Sequence, residues 1–187
     1  MKKTFATILL SAVLLAGCQT ATDGVDTKKP DLPDSFYQKN SESLEIAKES
    51  QEKSPSDFKA QFEVAYRYHM LGKQQDAIRE YEKALKFMPT DYATLNNLAV
   101  VYEEMKDYSS AAKYIKKLYE FNQGNSEVIS DTVRILLENN EPKEAAKALE
   151  NFAKTRRDQK KADPAEIQLV SELYQSIDRY NKQHDKK

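Results

Sequence analysis

The sequence repeats itself at an interval of ~34 residues, the length of a two-helix unit, and that period constrains the fold more than any other feature. Ala65, Tyr68, Ala77 and Tyr81 fall opposite Ala99, Tyr102, Ala111 and Ile115, and Pro55-Ser56-Asp57 recurs as Pro89-Thr90-Asp91. A unit of this length holds two short helices and cannot bury its apolar side alone, so neighbouring units must stack. Leu95, Leu98 and Tyr102 sit at i, i+3 and i+7, which is one face of a helix. Ala65, Ala77, Ala84, Ala99 and Ala111 permit close helix approach. Pro55 and Pro89 stop helices, Gly72 marks a helix end where positive φ is often required, and Pro142 suits a first helical position after Asn139-Asn140.

Two flanking helices follow from the same patterning. Residues 36–53 carry apolar side chains at Phe36, Tyr37, Leu44, Ile46 and Ala47. After Asp163-Pro164 a last helix places Ile167, Val170, Ser171 and Tyr174 at the spacing of a first helix without a second to follow it. Stacked arrays need polar ends, and these two helices are the candidate caps. Asn181 to Lys187 are expected to fray.

These residues resemble the tetratricopeptide repeat (TPR), a pair of antiparallel helices with small residues where they cross. The resemblance implies an all-α, short TPR-like α-solenoid with units at 58–91, 92–125 and 126–159, between capping segments at 36–57 and 160–187. The first unit departs from the pattern at Gln61 and Gln74, where a large apolar and an aromatic residue are usual. The second has Leu118 in place of a small residue and Gln123 in place of the closing proline. The third fits by class at Ile129, Leu136, Ala145 and Leu149 but not at Thr132, Val133 and Phe152.

The resemblance also places a partner groove on the first helix of each pair. Its residues are Lys59, Phe62, Glu63, Tyr66 and His69 in the first unit, with Ala93, Asn96, Asn97, Val100 and Glu103 in the second. In the third they are Glu127, Ser130, Asp131, Arg134 and Leu137. Phe62 and Tyr66 form an aromatic anchor on that groove or pack against the helix at 36–53; the pattern leaves both open. The carboxylate clamp of some family members is broken, since only Asn97 matches it and Phe62, Tyr66, Glu127 and Asp131 occupy its other places. Glu103, Glu127 and Asp131 make the middle of the groove acidic. His69 has no nucleophile motif beside it and reads as an ordinary, partly buried histidine.

The N-terminus reads as an address. Lys2 and Lys3 precede an apolar run from Phe5 to Ala16, too short for a permanent span of ~20 residues but the size of a signal-peptide core. The run ends in Leu15-Ala16-Gly17-Cys18, which resembles the lipobox of bacterial lipoproteins. That resemblance implies removal of residues 1–17, a thioether-linked diacylglycerol on Cys18 and an N-acyl chain on its new amino terminus, together a stable anchor. Gln19 rather than Asp resembles an outer-membrane sorting signal, so in an envelope with two membranes the protein faces the periplasm. Residues 18–35 are polar with two prolines and read as a flexible tether with a coil dimension of ~20–25 Å.

Composition excludes most chemistry. Four glycines argue against phosphate loops, one cysteine against disulfide frameworks and multi-cysteine metal sites, and two histidines leave little for a metal centre. A net charge of -1 offers no electrostatic case for nucleic acid. The basic run Lys154, Arg156, Arg157, Lys160, Lys161 is interrupted by Asp158 and reads as a solvated helix end. No cofactor beyond the covalent lipid is expected, and no catalytic residue. The expected function is a lipid-anchored, non-catalytic adaptor for an envelope protein or peptide, in pilus biogenesis, outer-membrane protein assembly or cell-wall enzyme scaffolding. Two other classes stand beside it: a cell-wall-acting hydrolase using a carboxylate pair, and a structural lipoprotein that self-associates through its third unit.

Overall fold

The structure, a computed structural model, describes residues 32–159 and 163–184. Cys18 and the lipobox, the tether up to residue 31, and Lys160 and Lys161 lie outside the described residues. Eight helices run through what is described: α1 Asp34–Lys53, α2 Phe58–Met70, α3 Gln74–Phe87, α4 Tyr92–Glu104, α5 Tyr108–Phe121, α6 Ser126–Glu138, α7 Pro142–Asp158 and α8 Pro164–His184. There is no strand among the described residues, and none of these helices is long and apolar enough to cross a membrane. Asn181 to His184, expected to fray, continue α8.

The period is written into the helix ends. Asp57, Asp91 and Asn125, each one period from the next, cap the first helices of the three pairs through their side chains, accepting from the backbone N–H of Lys59, Thr94 and both Glu127 and Val128. The turns inside the pairs share one geometry too. Gly72, Lys106 and Asn140 all adopt positive φ, at 69°, 59° and 58°. Lys73, Asp107 and Glu141 then donate back to the carbonyls of Tyr68, Tyr102 and Leu136, at 2.9, 2.9 and 2.8 Å. Backbone bonds therefore impose a left-handed residue at this place even where the side chain is lysine. Pro142 stands in the first turn of α7, where its missing N–H costs nothing.

One core runs from α2 to α8. Leu95, Leu98 and Ala99 of α4 and Ile129, Thr132, Val133 and Leu136 of α6 are buried with Ala111, Ile115 and Leu118 of α5 and Ala145, Leu149 and Phe152 of α7. The departures in the third unit are therefore core residues. Phe152 fills space with no exposure, and the Thr132 hydroxyl bonds the Val128 carbonyl at 2.7 Å. Leu118 is likewise fully buried. α1 makes a smaller cluster, Leu44 and Ala47 against Val64 and Leu71, flanked by Tyr37 and Tyr68. Ile46, read as part of its apolar face, is instead 68% exposed, because the face that packs runs through Asn40, Leu44 and Ala47. Asn40 is satisfied there by the Phe36 carbonyl (2.8 Å) and by Arg67 of α2 (3.0 Å).

Gln61 has a partner. It is 4% exposed, and its amide donates to the Glu80 carboxylate of α3, which also accepts from Gln51 of α1 (3.3 Å) and Lys83 (2.8 Å). Partial burial by itself would raise the Glu80 carboxyl, but the bonds from Lys83, Gln61 and Gln51 outweigh it and hold the group below its ordinary range. A polar junction thus joins α1, α2 and α3 where the repeat usually has an apolar residue.

Candidate functional site

The first helices of the pairs share one side of the array, and polar contacts link each to the next. The ring Nε2 of His69 on α2 lies 3.2 Å from the Glu104 carboxylate on α4, and Arg134 on α6 pairs with Glu103 on α4. The face between these contacts is the candidate partner groove.

Its α2 wall is aromatic. Phe58, Phe62 and Tyr66 recur at every fourth residue, with ring centroids 6.0 and 6.3 Å apart, and the Phe62 and Tyr66 planes are within 9°. All three are half-buried. Phe62 rests on Tyr81 of α3 at 5.6 Å, and both Phe62 and Tyr66 pack against the main core, whereas the cluster under α1 contains neither. Of the two placements open in the sequence, packing under the helix at 36–53 is therefore not the one Phe62 and Tyr66 adopt. Arg67 covers the Tyr66 ring at 5.4 Å.

The central and far walls are polar. Asn96 and Val100 are half-buried on α4. Asn97 donates to the Tyr81 hydroxyl at 3.0 Å, so it fastens α4 to α3. Burial pushes the Tyr81 phenol far above its usual range despite that bond. Glu103 and Asp131 share Arg134, the Asp131 contact at 2.8 Å, while Glu127 is exposed beside them. Burial, with Glu127 adding to it, pushes the Asp131 carboxyl up to about 6; Arg134 is divided between two carboxylates and does not reverse this. Ala93 is exposed, and Ser130 and Leu137 are half-buried.

Three expected groove residues are placed elsewhere. His69 is 7% exposed, edge-on to Tyr81 with centroids 6.5 Å apart, so its side chain belongs to the interior and not to a partner surface. Lys59 and Glu63 line a separate cleft between α1 and α2, where Glu63 bonds Arg67 at 2.7 Å. In return the structure adds Phe58 and Tyr92. They stand one period apart at the head of α2 and α4, and Tyr92 faces Glu127 and Asp131; burial, with those charges adding to it, raises its phenol. The i, i+4, i+8 spacing of Phe58, Phe62 and Tyr66 was the available signal. Among the described residues no three His, Cys, Asp or Glu side chains converge as a metal-ligand set. Arg156 in the basic run is an ion-pair partner of Glu166 on α8, its Nε 2.9 Å from the carboxylate.

Residues 65–106 match the family model of the TPR repeat. No curated protein matches the chain in sequence. Several solved structures share its fold. A MamA protein superposes with a TM-score of 0.58 at 15% identity, over 66% of this chain and 68% of that one. A tetratricopeptide repeat protein from Parabacteroides merdae gives 0.56 at 15% identity, over 80% and 62%. PilF of Pseudomonas aeruginosa gives 0.51 at 21% identity, over 80% and 73%. At such identities the likeness concerns architecture: the chain is an all-α, TPR-like solenoid. Proteins built on this repeat are generally scaffolds that bind other proteins without catalysing a reaction.

Proposed function

We propose that this protein is a lipid-anchored, non-catalytic adaptor of a bacterial envelope assembly, held by acyl chains on Cys18 and engaging a partner through the inner face of α2, α4 and α6. The observation that carries the reading is the half-exposed row Phe58, Phe62, Tyr66 on α2, with Phe62 and Tyr66 stacked, together with the carboxylates Glu103, Glu127 and Asp131 of α4 and α6, of which Arg134 engages only Glu103 and Asp131. Flat rings with few rotors offer contact area at low entropic cost, and carboxylates beside them select basic groups. An extended peptide with apolar and basic side chains fits that pairing. Asn96, half-buried on α4, bonds the peptide backbone in this reading. The setting is pilus biogenesis, outer-membrane protein assembly or the scaffolding of cell-wall enzymes, at the periplasmic face of the outer membrane where there are two membranes.

A photo-crosslinking residue at Tyr66, Val100 or Arg134 in intact cells tests the groove. One dominant captured protein is expected from these sites, and its capture from Val100 or Arg134 should be lost in Phe58→Ala/Tyr66→Ala. A crosslinker at Lys86 on α3 should give only background. Equal capture from Lys86 would remove the groove from the account. Cys18→Ser separately tests the anchor: incorporation of a labelled fatty acid and membrane association should both disappear.

A further inference from the structure

The two ends of the array are each half of a helix pair, and the halves are complementary. α1 packs on α2 and α7 packs on α8 in the same sense, a second helix against the next first helix. Among the described residues, α1 is thus a second helix without a first, and α8 is a first helix without a second. Ser43, Ala47 and Ser50 of α1 lie one period before Ala77, Tyr81 and Ala84, the fully buried residues with which α3 meets α2. Where their partner helix would lie there is instead a cleft of about 460 Å³, lined by Ser43, Ile46, Ala47 and Ser50 with Ala60 and Glu63 of α2.

At the other end, Ile167, Val170, Ser171 and Tyr174 have the spacing of Ile129, Thr132, Val133 and Leu136, which bury α6 against α7. In α8 that stripe is open at Ile167, Ser171 and Tyr174, while Val170 is half-buried against the core. Ile167 is 62% and Tyr174 42% exposed, and Ile177 is the one buried residue of a 21-residue helix. In sequence, residues 19–33 carry Pro30 and Pro33 and lack the apolar spacing of a first helix.

We propose that the occupant is α8 of a second copy, so that copies join head to tail. Its large apolar stripe meets the small Ser43, Ala47 and Ser50, much as Phe62 and Tyr68 of α2 pack into the core that holds Ala77 of α3. Charge does not oppose the contact, because the cleft balances Asp57 and Glu63 against Lys59 and Arg67 and the stripe carries none. Every interface formed is of a kind already present inside the chain: α8 gains α1 as its second helix, and α1 keeps α2 beyond it. Such a heterologous contact does not close on itself in a pair, so it propagates into a longer solenoid.

Sedimentation velocity of the whole protein in mild detergent tests this with two charge variants at exposed sites, Ile46→Glu/Ser50→Glu in the cleft and Ile167→Glu/Tyr174→Glu on α8. The wild type should grow beyond a dimer as concentration rises. Each variant alone should associate at least 10-fold more weakly with unchanged helical circular dichroism. An equimolar mixture should form a dimer and stop, since one intact cleft and one intact α8 remain. A wild type that stays monomeric overturns the proposal, as does a cleft variant that associates normally, which would mean that α8 pairs with itself or with lipid. Independently of the variants, a photo-crosslinker at Tyr174 in a mixed ¹⁴N/¹⁵N population should join it to the other copy within residues 43–63. Capture confined to α8 peptides would equally defeat it.

Discussion

Glu80→Ala is the sharpest probe of how this array departs from a plain repeat. The substitution removes the carboxylate that accepts from Gln61, Gln51 and Lys83. Gln61 is enclosed, and its amide is left with only the distant Glu80 carbonyl at 3.4 Å. A buried polar group losing its partner costs ~1–3 kcal/mol, so ~2 kcal/mol is expected, about 4–8 °C in melting temperature for a domain of this size. Gln61→Leu behaves differently. It gives up a bond to a charged group worth ~1.5–3 kcal/mol and gains apolar burial of similar size, ~1.5–3 kcal/mol, while Glu80 keeps Lys83 and Gln51; the net change should stay within about 1 kcal/mol. In the Gln61→Leu background, Glu80→Ala should cost less than ~1 kcal/mol, giving a coupling of at least about 1 kcal/mol in the cycle. Urea unfolding followed at 222 nm on the four proteins measures this. Equal costs of Glu80→Ala in both backgrounds would refute the reasoning, because the amide would then not depend on that carboxylate. The sign with pH is also set. The folded Glu80 value lies below the unfolded one, so its contribution is present above pH ~4.3 and lost as pH falls through the folded value.

Phe152→Ala should cost ~3–5 kcal/mol, because the ring has no exposure and its removal opens a cavity in the third unit; hydrogen exchange in α6 and α7 should rise most. Lys106→Gly relieves a left-handed lysine and should stabilise by about 0.5–1 kcal/mol, whereas Gly72→Ala, open in space but at positive φ, should cost about 1 kcal/mol in thermal unfolding. For Asp131, carboxyl chemical shifts should titrate near 6 and move toward ordinary values in Glu127→Gln; since the folded value is raised, its contribution is fully present below pH ~4 and lost as pH rises through about 6. Asn97→Ala should destabilise by ~1–3 kcal/mol through the unpartnered Tyr81 hydroxyl, and Tyr81→Phe in that background should recover part of the loss.

The resemblance of the chain to the TPR repeat reached well into the fold but unevenly into the groove. Periodic residues such as Leu95, Leu98 and Ala111 announce their burial because the helix pair recurs at a fixed period and its packing positions recur with it. Groove positions follow the same register, yet their availability depends on neighbours from other units. His69 sits at an outward position and is enclosed by Tyr81 and Glu104, one from its own pair and one from the next. Asn97, read as a clamp remnant, is occupied by Tyr81.

By itself the sequence determined the helices, their pairing and their turns, since caps, proline and glycine act through local backbone bonds and the period dictates what must stack. It also showed the misfit at Gln61 without its remedy. Only the tertiary structure decided that Glu80 answers Gln61, that Phe62 and Tyr66 pack on the main core instead of under α1, and that, among the described residues, α1 and α8 each lack the other helix of a pair. Those outcomes depend on which side chains converge from helices far apart in the chain, and a pattern read along one helix carries no information about what another brings to meet it.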